Sequence, residues 1–161
     1  MDALFVIKNK SELVFSDEQG NLVVINEEVI DDLLKFRQIS SVDKEAGGVL
    51  IGERRGNHIV LCAISEPGLG DFRSRFRFER KGKHHQKFVD ERFLSSGGTQ
   101  QYVGEWHTHP EDVPNPSDQD KRSWYKNLSS IYPTTLIIIG REQLWVGKKV
   151  GSAIQRLYQV Y

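Results

Sequence analysis

The chain has 161 residues, a length that fits a single domain able to bury a hydrophobic core. It carries 22 Lys plus Arg and 22 Asp plus Glu, so its balanced charge argues against a nucleic-acid-binding or membrane-surface protein. Neither a charged-then-apolar leader nor a long apolar run is evident, so we expect a cytoplasmic protein. The lone cysteine, Cys62, lies in an apolar run and is predicted to be a small core residue.

Turn-forming residues divide the first third of the chain into short apolar segments. Strands are predicted at 4–7, 13–15 and 22–25, with a turn at 17–21. Asn26 can then cap a helix, and the apolar stripe of that helix comprises Val29, Ile30, Leu33 and Leu34. The next strand lies around 47–52, and the turn Gly56-Asn57 leads into a strand at 58–65.

The following segment, 72–78, alternates between two kinds of side chain. We expect its phenylalanines and Ser74 to face a core, while Arg73, Arg75 and Arg77 share the opposite face. Such an arginine face is either a solvated sheet surface or a docking surface for an acidic partner. A polar helix at 83–94 follows, ends before Gly97-Gly98 and begins with two histidines that are predicted to face solvent, His84 and His85.

The second half of the chain predicts four more strands and one helix. The strands lie at 102–109, 134–139, 143–148 and 154–160, and the helix begins at Ser117. Strands interleaved with about three helices indicate a mixed α/β (α+β) domain in which helices pack on a sheet.

One short region carries a possible metal-binding pattern. On a strand at 102–109, His107 and His109 point to the same face. In a helix that begins at Ser117, Asp120 lies about one turn further on and on the same side. Two imidazoles and one carboxylate suit Zn²⁺, and three protein ligands leave a fourth position for water, as in hydrolytic zinc sites.

Two separated segments resemble one family of enzymes. His107-x-His109-Pro110 followed by Ser117-x-x-Asp120 resembles the JAMM motif of the MPN⁺/JAB zinc metalloproteases. Upstream, Glu45-Ala46-Gly47-Gly48-Val49-Leu50-Ile51-Gly52 is similar to the glutamate-bearing segment of the same family. The resemblance covers roughly 22–148 and implies one JAB/MPN domain over 1–161, with 1–21 as an N-terminal strand extension. It also implies a cytidine-deaminase-like sandwich with a curved mixed sheet.

Carried over residue by residue, the resemblance implies a role for each site residue. His107, His109 and Asp120 would bind one Zn²⁺ per chain, which makes hydroxide available near neutral pH. Glu45 would be the general base, and Ser117 would donate a hydrogen bond to the oxyanion. Glu105 shares a strand face with His107 and is a second candidate, either as the base or as a partner that orients a histidine. The family pattern favours Glu45 as the general base.

The resemblance also implies a substrate class. Family members are mostly isopeptidases that act on conjugated proteins, and Gly104–Pro110 is similar to the JAB-domain deconjugases of bacterial CBASS anti-phage systems. Those enzymes release a cyclic-nucleotide synthase, the CD-NTase, from target proteins. We expect its C-terminal tail to add to a sheet edge near the histidine-bearing strand, with Arg73–Phe78 as candidate contacts.

Three alternative functions differ from this one in the residues that they require. The first is a JAMM peptidase that processes a ubiquitin-like or sulfur-carrier protein. The second is an inactive MPN scaffold, which is disfavoured because every motif residue is present. The third is a zinc nucleobase deaminase, which needs a Cys-x-x-Cys ligand pair that a chain with one cysteine lacks.

Overall fold

The computed structural model describes residues 12–160, so the strand predicted at 4–7 lies outside the described residues. Within this range the strands are β1 (Glu12–Ser16), β2 (Leu22–Asn26), β3 (Gly47–Arg55), β4 (His58–Ile64), β5 (Phe72–Ser74), β6 (Arg77–Glu79), β7 (Gln101–Thr108), β8 (Thr134–Ile139), β9 (Leu144–Val150), β10 (Ala153–Arg156) and β11 (Tyr158–Gln159). The helices are α1 (Glu27–Leu34), α2 (His84–Ser95) and α3 (Asp118–Asn127).

Nine strands form one curved, mixed sheet in the order β10-β9-β8-β7-β3-β4-β2-β1-β11. The pairs β2/β4 and β7/β8 are parallel, and the other neighbours are antiparallel. The two outermost strands, β10 and β11, are separated in the sequence only by Leu157, which is buried. The sheet is therefore nearly closed, and the predicted mixed α/β fold with a curved sheet and three helices is confirmed.

Helix α1 covers one face of the sheet through the predicted apolar stripe. Its N-cap, Asn26, accepts a 2.9 Å hydrogen bond from the Val29 N–H, which satisfies one donor of the first turn. The buried side chains of the helix are Val29, Ile30, Leu33 and Leu34. Deleting a side chain such as Leu33, which is 0% exposed, would cost about 2–5 kcal/mol.

Strand β3 packs closely against its neighbours at the centre of the sheet. A Cβ at Gly48 would overlap the carbonyl oxygen of Ser65, and the same oxygen accepts a 3.0 Å hydrogen bond from the indole of Trp106. Gly47 is paired with His107 across β3 and β7. The close approach fixes the start of β3, and hence the segment preceding it, against the histidine-bearing strand.

The segment 72–78 differs from its predicted form. It is a two-stranded hairpin, β5–β6, separate from the main sheet, and Phe72 and Phe76 are 46% and 72% exposed. Its arginines do not form a shared solvated face, because Arg73 and Arg75 donate to backbone carbonyls of the segment 41–45. Arg77 instead pairs with Glu79 within the hairpin. The prediction of a core-facing phenylalanine stripe is wrong.

Cys62 is also placed differently from the prediction. It is partly exposed and lines a groove between α1 and α2, rather than lying in the core. The strand β4 presents its fully buried face at alternate positions such as Leu61, and Cys62 points to the other side. Among residues 12–160, we find no helix with both the length and the apolar character that crossing a bilayer requires.

Candidate metal centre

The two motif histidines lie together at the end of β7. His107 is paired with Gly47 of β3 and with Ile138 of β8, so its backbone is held on both sides. His109 follows the end of the strand, and its N–H donates to the Ile139 carbonyl over 3.0 Å. The Nε2 atoms of His107 and His109 are 3.1 Å apart, so strand alternation brings both imidazoles to one point.

The N-terminus of α3 brings a carboxylate to the same point. Ser117 is the N-cap, and its hydroxyl accepts a 3.0 Å hydrogen bond from the Asp120 N–H. The Ser117 N–H donates in return to Oδ2 of Asp120 over 2.8 Å, which completes a capping box. Asp120 Oδ1 lies 3.2 Å from His107 Nε2, and Oδ2 lies 3.0 Å from His109 Nε2. The cap that begins the helix therefore also orients the carboxylate.

Glu45 joins the cluster from the segment before β3. Its carboxylate lies within 4.8 Å of one ring nitrogen of both His107 and His109, and the residue is 6% exposed. Its backbone is held by the β5–β6 hairpin, since the Glu45 N–H donates to the Ser74 carbonyl over 2.7 Å. The Arg73 guanidinium donates to the Glu45 carbonyl over 2.9 Å. The structure thus brings together the glutamate, both histidines, the aspartate and the serine singled out in the sequence.

The donor set fits a divalent cation. His109 faces Glu111 through Nδ1 at 2.8 Å, so in the neutral ring Nδ1 carries the hydrogen and Nε2 carries a lone pair. In the neutral ring that lone pair and the Asp120 carboxylate, 3.0 Å apart, can bind one cation together, whereas in the protonated ring Nε2 donates to the carboxylate. The two Nε2 atoms are 3.1 Å apart and each lies 3.0–3.2 Å from one oxygen of Asp120, which approaches the roughly 3.3 Å edge of a tetrahedron with Zn–N bonds of about 2.0 Å.

The electrostatics of the cluster follow from burial and proximity. Burial raises the pKa of Glu45 to about 7, and the neighbouring charge of Asp120 adds to the rise. For Asp120, burial acts in the same direction, but hydrogen bonds from His107 and His109 outweigh it and hold its pKa well below the usual range. Burial opposes the charged form of His109, yet the bond to Asp120 raises the pKa of that imidazole. At neutral pH the Asp120 carboxylate is therefore ionised, while Glu45 can hold or release a proton.

Two further glutamates differ in their relation to the histidines. Glu105, a predicted alternative base or histidine partner, instead pairs with Arg80 at 2.7 Å and accepts a hydrogen bond from the Tyr102 hydroxyl. The residue that orients a histidine is Glu111, which the sequence analysis missed. The available signal was its position two residues after His109, which would place both side chains on one side of an extended segment.

The cluster opens into a cleft of about 920 Å³. One wall is the β5–β6 hairpin, with the side chains of Phe76 and Phe78, and another includes Trp124 of α3. Strand β7 itself is paired with both β3 and β8, so the sheet edge expected near it must belong to another strand and stays a prediction. Among the residues described, β6 pairs only with β5, so the hairpin supplies the free strand edge at the cleft.

A second group of metal-ligating side chains, Asp71, His84 and His85, has a different character. His85 is 3% exposed, contrary to the solvent-facing position predicted for it. Its Nδ1 lies 2.6 Å from the Ser65 hydroxyl and its Nε2 lies 2.7 Å from Asp71. Asp71 also accepts three backbone N–H bonds, from Gly68, Lys81 and Gly82. Every polar group of the Asp71–His85–Ser65 network is satisfied by hydrogen bonds, so this network joins α2 to the sheet without requiring a cation.

The sequence and the fold of this chain are similar to those of known proteins. The family model described as prokaryotic homologs of the JAB domain matches residues 26–152. A protein of Vibrio cholerae serotype O1, named CD-NTase/cGAS isopeptidase, is 54% identical over 143 residues, covering 89% of this chain and 92% of that protein. An Escherichia coli protein of the same name is 48% identical over 149 residues, covering 92% and 96%. A solution structure of a Desulfitobacterium hafniense protein matches with a TM-score of 0.61 and 19% identity, covering 82% of this chain and 87% of that one, and supports the fold alone.

Proposed function

Because this chain belongs to the family of prokaryotic homologs of the JAB domain, we propose that it is a metal-dependent isopeptidase. Its substrate in this proposal is a CD-NTase joined through its C-terminus to another protein, as part of CBASS anti-phage defence. The observation that carries the proposal is the identity of about half of all positions, over nearly the whole chain, with relatives named for that reaction. The convergence of five polar side chains at one end of the cleft agrees with such chemistry.

We assign the metal ligands as His107, His109 and Asp120, with Glu111 orienting the ring of His109. A zinc ion bound there would supply a Lewis acid and make hydroxide available near neutral pH. This set of two imidazoles and one carboxylate leaves room for a water or a substrate oxygen. The other steps depend on the chain's own side chains.

Glu45 is the general base and acid in this mechanism. In the metal-free chain its burial raises its pKa to about 7, so this carboxylate is a stronger proton acceptor than an exposed glutamate. One carboxylate oxygen accepts a proton from the attacking water. The same oxygen later donates that proton to the departing lysine amine, which would leave poorly as an anion.

Ser117 is the donor to the oxyanion. Its oxygen already accepts the Asp120 N–H at 3.0 Å, so its hydroxyl hydrogen is free to point into the cleft. A donor aimed at the developing charge of a tetrahedral intermediate typically contributes about 10²–10³ in rate. The N-cap of α3 therefore serves the helix through its oxygen and the reaction through its hydrogen.

The C-terminal tail of the substrate would lie along the hairpin wall. The free edge of β6 can pair with an extended peptide, which would fix the tail through main-chain hydrogen bonds. Phe76 and Phe78 line the cleft beside that edge and offer contacts for alternate tail side chains. Such a mode recognises an extended C-terminus rather than a folded modifier.

The direct test uses a CD-NTase whose C-terminal carboxyl is joined to a small reporter protein. The zinc-loaded protein should release the reporter, and mass spectrometry should locate the break directly after the last CD-NTase residue. A matched conjugate that carries a ubiquitin-like tail is the control and should be cleaved far more slowly. Absence of cleavage of the CD-NTase conjugate by protein that contains one zinc per chain would refute the proposal, and preferred cleavage of the control would reassign the substrate.

A further inference from the structure

We propose that Gln38 and Thr108 form a buried positioning pair that holds Glu45 in register with the two histidines. This inference rests on the proposed function, because it assigns the pair a role in placing the general base. Gln38 and Thr108 are both 0% exposed, and their side-chain hydrogen bonds go to each other and to backbone groups of Asp43, Ala46 and Arg75. Their role therefore has to be exerted through the backbone.

The side chain of Thr108 accepts a hydrogen bond that a backbone carbonyl would accept in a regular pair of strands. It separates the two histidines in the sequence, and its side chain points to the opposite face from theirs. Its hydroxyl oxygen accepts a 2.9 Å hydrogen bond from the Ala46 N–H, and its own N–H donates 2.9 Å to the Ala46 carbonyl. Ala46 directly follows Glu45, so both bonds tie the glutamate-bearing segment to the histidine-bearing one.

Gln38 fixes the rotamer of Thr108 and connects it to the rest of the cleft. The Thr108 hydroxyl donates to Gln38 Oε1 over 2.8 Å, which leaves its oxygen free to accept from Ala46. The amide nitrogen of Gln38 donates to the Asp43 carbonyl at 3.3 Å and to the Arg75 carbonyl at 2.7 Å. One fully buried amide thus joins the end of β7, the segment before Glu45 and the turn of the β5–β6 hairpin.

This network is costly unless it is complete. Burying a glutamine amide and a threonine hydroxyl without partners costs about 1–3 kcal/mol for each unsatisfied group. An apolar pair would fill the same space without that risk, so packing alone does not explain these two residue types. What the polar pair adds is direction, because hydrogen bonds define the position of the Ala46 N–H, whereas apolar contacts do not. Misplacing a catalytic group by about 1 Å can cost on the order of 10² in rate.

The test combines kinetics, metal content and hydrogen exchange on the full chain. Thr108→Val keeps the shape of the side chain but removes the hydroxyl, and Gln38→Met keeps length while removing the amide. We expect each variant to lower kcat by about 10–100-fold while KM changes by less than about threefold. Each variant should still bind one zinc, since the ligands are untouched. Exchange of the amides in 41–47 should become faster.

Two further variants separate positioning from general destabilisation. Thr108→Ser keeps the hydroxyl and should retain most of kcat, which a requirement for packing alone would not predict. Thr135→Val removes the hydroxyl of a residue on β8 that is 3% exposed and does not line the cleft, and it should leave kcat within about twofold whatever its effect on stability. The double variant Gln38→Met/Thr108→Val should lose little more than either single variant, because both belong to one network.

The measurements separate failure of the positioning role from failure of the proposed function. If the wild-type chain does not cleave the CD-NTase conjugate, the function fails and kinetics carry no information, but the exchange of 41–47 still reports the network. If the wild type cleaves and zinc-loaded Thr108→Val keeps its full kcat, the positioning role is refuted. Loss of kcat in Thr108→Val only in proportion to lost zinc, or an equal loss in Thr135→Val, would also refute it.

Discussion

Glu111 accepts a hydrogen bond of 2.8 Å from Nδ1 of His109, on the side of the ring opposite Asp120. The bond defines which ring nitrogen carries the hydrogen and which one faces the cluster. Glu111 is itself about half exposed, so the arrangement does not require a buried charge. In the proposed metal centre, His109 would therefore join the Glu111 carboxylate to the metal.

Removing this bond should weaken metal binding. We expect Glu111→Ala to lower zinc affinity by about 10–100-fold, because the ring of His109 loses its preferred tautomer and orientation. Competition with a chromogenic chelator measures the change. Glu142→Ala, at an exposed position outside the cleft lining, is the matched control and should bind zinc as the wild type does. Equal affinity in Glu111→Ala and Glu142→Ala would contradict the orienting role.

Two glutamates at the cleft should differ in their effect on turnover. Glu45→Gln should lower kcat by about 10²–10⁴ while one zinc per chain remains bound, because the proton acceptor is lost and the ligands are kept. Glu105→Gln disrupts the pair with Arg80 at the same cleft and should change kcat by less than about tenfold. Steady-state kinetics and metal analysis of both variants check this. If Glu105→Gln lowered kcat more than Glu45→Gln does, Glu105 rather than Glu45 would be the general base.

The two helix caps allow the double role of Ser117 to be measured. Ser117→Ala should destabilise the fold by about 1 kcal/mol through loss of the cap and should also lower kcat by about 10²–10³. Asn26→Ala removes the comparable cap of α1, away from the cleft, and should have a similar effect on unfolding with kcat unchanged. Denaturant unfolding and kinetics are measured on the same samples. If both variants keep full kcat, Ser117 acts on the helix alone.

Burial of Glu45 makes the stability of the metal-free protein depend on pH. Because its pKa rises from 4.5 to about 7 on folding, the folded chain holds this proton more firmly than the unfolded chain. The contribution to stability is therefore complete below about pH 4.5 and falls by about 3 kcal/mol as the pH rises to 7. Glu45→Gln should lose less stability than wild type between pH 5 and pH 8, as measured by urea unfolding with a chelator present. If the free energies of unfolding of wild type and Glu45→Gln changed equally with pH, the Glu45 carboxyl would not be buried in solution.

Much of the fold was predictable because periodicity and turn residues agree locally. The predicted strand 134–139 coincides with β8, since its apolar run is bounded by Pro133 and Gly140. Asn26 and the stripe of α1 are confirmed for the same reason. The alternating segment 72–78 was misassigned, because alternation also fits a hairpin whose arginines bind neighbouring backbone carbonyls. Sequence patterns do not show such long-range acceptors.

The site was predictable in part. The spacing of His107, His109 and Asp120 follows from local strand and helix geometry, so the sequence analysis could anticipate their proximity. The approach of Glu45 required the family resemblance, because it depends on the pairing of β3 with β7 across about sixty intervening residues. Gln38 gave no signal at all, since its partners are the carbonyls of Asp43 and Arg75 and the hydroxyl of Thr108, which no local pattern connects to it.

The near closure of the sheet by the last described residues has a consequence for synthesis. Phe15 of β1 pairs with Gln159 of β11, so β1 receives one of its two neighbours only after about 140 further residues have been synthesised. Until then, among residues 12–160, no strand pairs with that edge of β1, and other chains could pair with it. A truncation after Arg156 would make that vulnerable intermediate permanent.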